Sequence, residues 1–298
     1  MAVVAVLVAC FLAVSIVSQI GDFQSFDWEL RPVWLVVCFA LLVAFQGMHA
    51  LLWIGLVRAT GGTLPTAAGT RIFSIALLTR YVPTQILMAV TRLSMLHTRG
   101  VPRSAAAASL AYEFPLAVGS AFALSVAFVI DLPELRDHDL RWIALAAPIL
   151  LLGLLHPRVV GAIERRLAAR LKIDAEHIAL PLRVLVPFAV GYVASFVVAG
   201  LATYAFARSI FPSASMDSRV LASYAIGYSA AVLAFFIPGG LGARDGATAT
   251  ALAVVMPVSV AVAVAIGVRL AQTLVELGYA GCFEVLHRRR VRSASAST

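Results

Sequence analysis

The run Pro238-Gly239-Gly240-Leu241-Gly242, leading into Ala243-Arg244-Asp245, is the part of this sequence best suited to hold an anion. Glycines let a backbone approach a ligand closely, and a helix starting after them aims its free N–H groups at it. Arg244 adds a planar fork matched to phosphate, and Asp245 a carboxylate to tune or release it. Arg80 and Arg92 flank a second break at Pro83, while Glu113, Arg269 and Glu276 are charges embedded in apolar sequence. A charge at bilayer depth costs roughly 2.5–3.5 kcal/mol on insertion scales, so it turns toward the bundle interior or a water-filled cavity. The candidate substrate-binding residues are therefore Arg80, Arg92, Glu113, Gly239, Gly240, Gly242, Arg244, Asp245, Arg269 and Glu276.

Each has a plainer reading. The glycines permit tight turns, Arg244 pairs with Asp245 or a carbonyl, and Arg92 snorkels to the cytoplasmic surface. A shift of 155 residues carries Glu113 onto Val268, next to Arg269, so a pseudo-twofold axis would bring those two charges together as a structural ion pair or a switching pair. Gln272 and Glu276 extend the Arg269 face at i+3 and i+7, with simple hydration as the alternative for Glu276 near the cytoplasmic end. Gln46 and His49 are expected to make interhelical hydrogen bonds. No catalytic triad, metal-ligand cluster or phosphate-binding loop occurs at useful spacing, so neither an enzyme nor a cofactor or metal is expected.

The elements that must position these residues are membrane helices. With 61% hydrophobic and 13% charged residues in a chain of 298, the composition is that of an all-α polytopic membrane protein, a single transmembrane domain over 1–298. About 20 apolar residues cross a bilayer. Six full spans are expected near 2–20, 33–57, 104–130, 141–156, 184–211 and 258–283. Two further segments, 66–96 and 219–256, are apolar but broken by Pro83 and by Pro238, and are expected as re-entrant pairs of half-helices. The same shift of 155 carries Pro83 onto Pro238, Pro102 onto Pro257 and Ser104 onto Ser259, which predicts a duplicated unit with halves near 33–130 and 188–285.

Loop charge supplies the orientation. The formal net charge of +8 suggests nucleic acid only until its placement is noticed, because the arginines cluster between spans. Positive loops face the cytoplasm, which puts both termini there, in the cell membrane, and makes the two halves opposite in topology. The segment 157–180 is expected as a cytoplasmic interfacial helix, and 287–298 as a basic flexible tail. Cys10, Cys38 and Cys282 are expected to be core thiols.

The Phe236-to-Gly246 motif, with Arg80-Tyr81-Val82-Pro83, Arg92 and Glu113 in the first half, resembles the lysylphosphatidylglycerol synthase transmembrane-region family. Asp245 stands where that family commonly has Glu, and Thr84-Gln85 replace its usual glycines. The resemblance implies a stand-alone, flippase-like member without the soluble aminoacyltransferase domain. It also implies membrane lipids as partners, and relatives of this kind serve lipid, glycolipid or hopanoid pathways.

The function expected is therefore movement of an anionic phospholipid or lipid-linked glycan between leaflets. Two alternatives stay open: a secondary transporter of a small polar solute, and a non-transporting membrane partner of a lipid-glycan synthase, with a lipid-modifying or glycosyltransferase enzyme as its companion.

Overall fold

A computed structural model describes residues 29–79, 86–129, 178–234 and 242–296, together with a few isolated positions between 153 and 169. Among the described residues there are eight helices: α1 (Pro32–Ala59), α2 (Thr66–Leu78), α3 (Ile86–His97), α4 (Arg103–Val129), α5 (Leu182–Ile210), α6 (Ser218–Leu233), α7 (Ala243–Ala253) and α8 (Val258–Ala296). α1, α4, α5 and α8 are long and apolar enough to cross a membrane. They match four of the expected spans; the spans expected at 2–20 and 141–156 lie outside the described residues. α2, with 13 residues, α3, with 12, and α7, with 11, are too short to cross. The tips between α2 and α3 and between α6 and α7, with Pro83 and Pro238, also lie outside them.

The outside of the bundle is apolar, and the charged side chains of its helices lie inside, within a largely apolar core. Val33, Val36 and Val43 on α1, Leu182, Val186 and Val190 on α5, and Leu270, Leu274 and Leu277 on α8 are exposed at helical spacing. Arg92, Arg244, Asp245, Gln272 and Glu276 are buried. Such an inversion is stable only where the surroundings are hydrocarbon. The chain is a multi-pass helical membrane protein.

The helices recur with the offset seen in sequence. α4 starts at Arg103 after Pro102, and α8 starts 155 positions later at Val258 after Pro257. Each proline carbonyl accepts the first helical hydrogen bond, from Ala106 at 3.0 Å and from Ala261 at 2.9 Å. Proline suits this place because its missing N–H is not required there. Packing repeats as well: α1 with α2, α2 with α3, α3 with α4 and α1 with α4 are matched by α5 with α6, α6 with α7, α7 with α8 and α5 with α8. The crossed pairs correspond too: α4 with α6 and α4 with α5 are matched by α8 with α2 and α8 with α1.

The exchange centres on α1 and α5, the most extensive helix pair described. Arg31 N–H donates to the Ser209 carbonyl at 2.8 Å, Phe45 meets Phe196, His49 meets Tyr192, and Gly55 faces Phe188. Rising numbers in α1 meet falling numbers in α5, so these equivalent helices run antiparallel. Small residues let them close: a Cβ at Gly191 would stand 2.5 Å from Leu52, and one at Gly200 only 2.1 Å from the Leu221 carbonyl oxygen of α6.

In the segment expected as a basic flexible tail, α8 continues to Ala296, meeting neither Gly nor Pro after Gly281, and Glu284 accepts from Arg288 Nε at 2.9 Å. Two other expectations are corrected. Cys282 is exposed, unlike the buried Cys38, since it lies on the outward face of α8. Glu276, for which hydration was an alternative, is 1% exposed and turned inward. Most of 157–180 lies outside the described residues; Arg165 and Arg166 there are helical and exposed.

Candidate functional site

Two buried arginines organise the interior, one from each short helix that follows a break. In the first half, Arg92 on α3 is 1% exposed and its Nη1 donates to Glu113 Oε2 on α4. Its guanidinium lies 4.8 Å from the centre of the Trp53 ring and 4.6 Å from that of Phe73. Cation–π contacts of this kind gain strength where water is excluded. Pro115, two residues beyond Glu113, sits inside α4 and removes one backbone hydrogen bond from the turn that carries the carboxylate. Arg92 Nε and Trp53 Nε1 are buried without a hydrogen-bond partner among the described residues.

In the second half, Arg244 is the second residue of α7, whose N-cap Gly242 has φ +80°, a backbone that glycine adopts without strain. Arg244 Nη2 donates to Gln272 Oε1 on α8 at 2.8 Å. The Tyr224 hydroxyl of α6 donates to the same oxygen at 2.7 Å, and the guanidinium lies 4.7 Å from that ring's centre. Asp245 is buried in the first turn of α7, where the helix dipole favours an acid. The close approach of α6 to α7 depends on Gly227: a Cβ there would stand 2.0 Å from Thr248 Oγ1 and 2.9 Å from the Arg244 carbonyl oxygen. Thr248 Oγ1 itself donates to that carbonyl at 2.9 Å.

Rings on α1, α5 and α6 fill the space between the two arginines. Tyr192 and His49 have centroids 5.2 Å apart, His49 and Phe45 4.5 Å, and Phe45 and Tyr224 5.3 Å. Tyr192 packs with Ala111, Tyr112 and Leu116, the α4 residues around Glu113, and Tyr224 lies against Arg244, so the column starts beside the first pair and ends under the second arginine. His49 Nε2 and Ser195 Oγ are 3.0 Å apart, an α1–α5 bond of the kind expected from the sequence. Ser195 uses its proton on the Tyr192 carbonyl at 2.7 Å, which leaves His49 Nε2 as the donor. Gln46 is buried with its Nε2 unpaired among the described residues, so only His49 of that pair makes the bond foreseen.

The sequence candidates fall into three groups. Arg92 with Glu113, and Gly242, Arg244 and Asp245 with the Gln272 and Glu276 face of α8, are gathered in the interior. Arg269 is partly buried on the same helix as Gln272. Arg80, Gly239 and Gly240 lie outside the described residues. Glu113 is paired with Arg92, not with Arg269 as the shift of 155 suggested. The reason is geometric: a twofold brings equivalent residues together only near its axis, and α1 and α5 occupy that place, while α4 packs on α3 and α8 on α7.

Sequence reasoning missed Trp53, Phe73, Tyr192, Tyr224 and Gly227. The Tyr224 and Tyr228 pair at i, i+4 in an Ala- and Ser-rich helix was the available signal. Among the described residues, no group of three His, Cys, Asp or Glu is placed to hold a metal ion.

The arrangement gives Arg244 a neutral amide acceptor and Arg92 a carboxylate. No curated protein and no solved structure matches the chain. The family model described as the lysylphosphatidylglycerol synthase TM region matches residues 1–278, and with that coverage the chain belongs to this family.

Proposed function

We propose that the protein moves an anionic phospholipid or lipid-linked glycan between the leaflets of the cell membrane. The headgroup would pass between the two breaks while its chains stay in the surrounding lipid. One observation carries the reading: Arg244 is buried at the start of a short helix and is held by the neutral oxygen of Gln272, not by an acid. Its charge is thus unneutralised by its described hydrogen-bond partner, which is the condition for a phosphate to displace a weak contact and gain a strong one. The Arg92–Glu113 pair is the second station, where a phosphate competes with a carboxylate already in place.

On this reading the halves are 33–130 and 188–285, each with a re-entrant pair, opposed across the membrane. Antiparallel α1 and α5 support that opposition, and the lengths of α2, α3 and α7 support the re-entry. Both termini are cytoplasmic, and the protein works as a transporter without catalysing a covalent step. A lipid-modifying enzyme or glycosyltransferase would supply or consume the cargo.

The test is exchange of short-chain fluorescent lipids in reconstituted vesicles, with anionic and zwitterionic headgroups compared. Anionic exchange should be accelerated, and Arg244→Gln should reduce it about a hundredfold, equivalent to about 2.7 kcal/mol, while the protein remains folded. Vesicles with the native protein that exchange no anionic lipid faster than empty vesicles would refute the proposal.

A further inference from the structure

A second charged place lies where the start of α2 meets the C-terminal end of α3 and the 283–287 stretch of α8. A cavity of about 220 Å³ opens there, smaller than the roughly 300–1,000 Å³ of sites that enclose a drug-sized ligand. Its basic side chains are Arg71 and Arg99, joined by the imidazole of His287, and its apolar wall is Phe283 and Leu286. The nearby acid is already committed: Glu284 Oε2 accepts from Arg71 Nε at 2.8 Å, and Glu284 Oε1 accepts from Arg288 at 2.9 Å. Arg99 and His287 have no acidic partner among the described residues.

The backbone contributes as well. α2 begins after Pro65 with no side-chain cap and no acid in its first turn, and Ala67 and Ala68 of that turn line the cavity. The first N–H groups of a helix have no intrahelical acceptor and carry partial positive charge. Two arginines, an imidazole able to donate a hydrogen bond and an uncapped helix start therefore converge on one small space. Exposed Val285 and Leu286 continue from it along the outer face of α8.

We infer that this cavity binds the headgroup phosphate of an anionic phospholipid, whose acyl chains lie against the outer face of α8. The volume admits a headgroup and not the chains, and the exposed apolar side chains beside it take those. Basic pockets between membrane helices are suited to such headgroups. This lipid is a resident, not the cargo. It ties α2, in the first half, to α8, in the second, through Arg71, Arg99 and His287, and it reinforces the Arg71–Glu284 contact that already joins them.

The experiment is thermal unfolding of the full chain in a neutral detergent, titrated separately with short-chain phosphatidylglycerol, short-chain phosphatidylcholine and inorganic phosphate. Phosphatidylglycerol should raise the unfolding midpoint, phosphatidylcholine should not, and phosphate should act only at far higher concentration. Arg99→Gln with His287→Gln should raise the phosphatidylglycerol concentration needed about tenfold, and the corresponding double Lys variant should preserve the response. Ala67→Glu, which suits a helix N-terminus, should abolish the response without loss of folding. Equal stabilisation by phosphatidylcholine, an equal effect of phosphate alone, or an unchanged titration in the Gln and Glu variants would overturn the inference. The part of the phosphatidylglycerol response lost in the Arg99→Gln, His287→Gln variant must persist in an Arg244→Gln background, which removes only interior binding and so separates this site from the transport reading.

Discussion

The two interior arginines occupy corresponding helices and yet live in different company. Arg92 is sandwiched by Trp53 and Phe73 and closed by a carboxylate; Arg244 lies against one ring and shares an amide oxygen with a tyrosine. The first is a neutralised pair with a large desolvation cost already offset, while the second keeps its charge on offer. The corresponding helices thus share a frame and differ in how each holds its arginine, one with a carboxylate and the other with a neutral amide oxygen.

That contrast can be broken most severely at Glu113. Glu113→Gln leaves Arg92 buried without its counter-charge, and should cost about 3–5 kcal/mol of stability, read as a lower unfolding midpoint in detergent. Adding Arg92→Gln should recover much of the loss, since the uncompensated charge is then gone. Gln272→Leu should cost less, about 1–3 kcal/mol, because it strips an acceptor from Arg244 and from the Tyr224 hydroxyl without exposing a lone carboxylate. If both substitutions destabilise equally, the two arginines are not differently held.

Converting one site into the other sharpens the point. Gln272→Glu would give Arg244 a carboxylate like that of Arg92; stability should change little, while anionic lipid exchange should fall about tenfold because the headgroup now competes with a fixed anion. Gly227→Ala should cost about 1–3 kcal/mol by pushing a methyl into Thr248, and Thr248→Ala should relieve part of that cost. The smallest effect belongs to the seam between the halves: Ser195→Ala removes the His49 bond and should cost about 0.6 kcal/mol in the membrane-embedded protein.

Much of the frame could be read from residue types alone. Pro102 and Pro257 mark helix starts by the same chemistry, and long apolar runs require helices in lipid, so α4, α8 and their offset followed directly. Charge within those runs pointed to Arg92, Glu113 and Arg244 because burial makes each expensive. The pairing of Glu113 was not legible, since sequence equivalence reports symmetry and not distance. Nor was the aromatic column, because Phe45, Tyr192 and Tyr224 look like ordinary membrane residues until α1, α5 and α6 are packed. Gln272 was seen as part of a polar face, but its role as the shared acceptor needed the register of α7 on α8.

The contact at Gly200 has one more outcome. Only a hydrogen atom separates α5 there from the main chain of α6, a junction with no compliant side chain to slide or repack. On the proposed transport reading α5 and α6 would therefore move together, and an alternate opening to the two leaflets would turn on contacts made by side chains, such as those of Phe188 and Leu52 in the central seam.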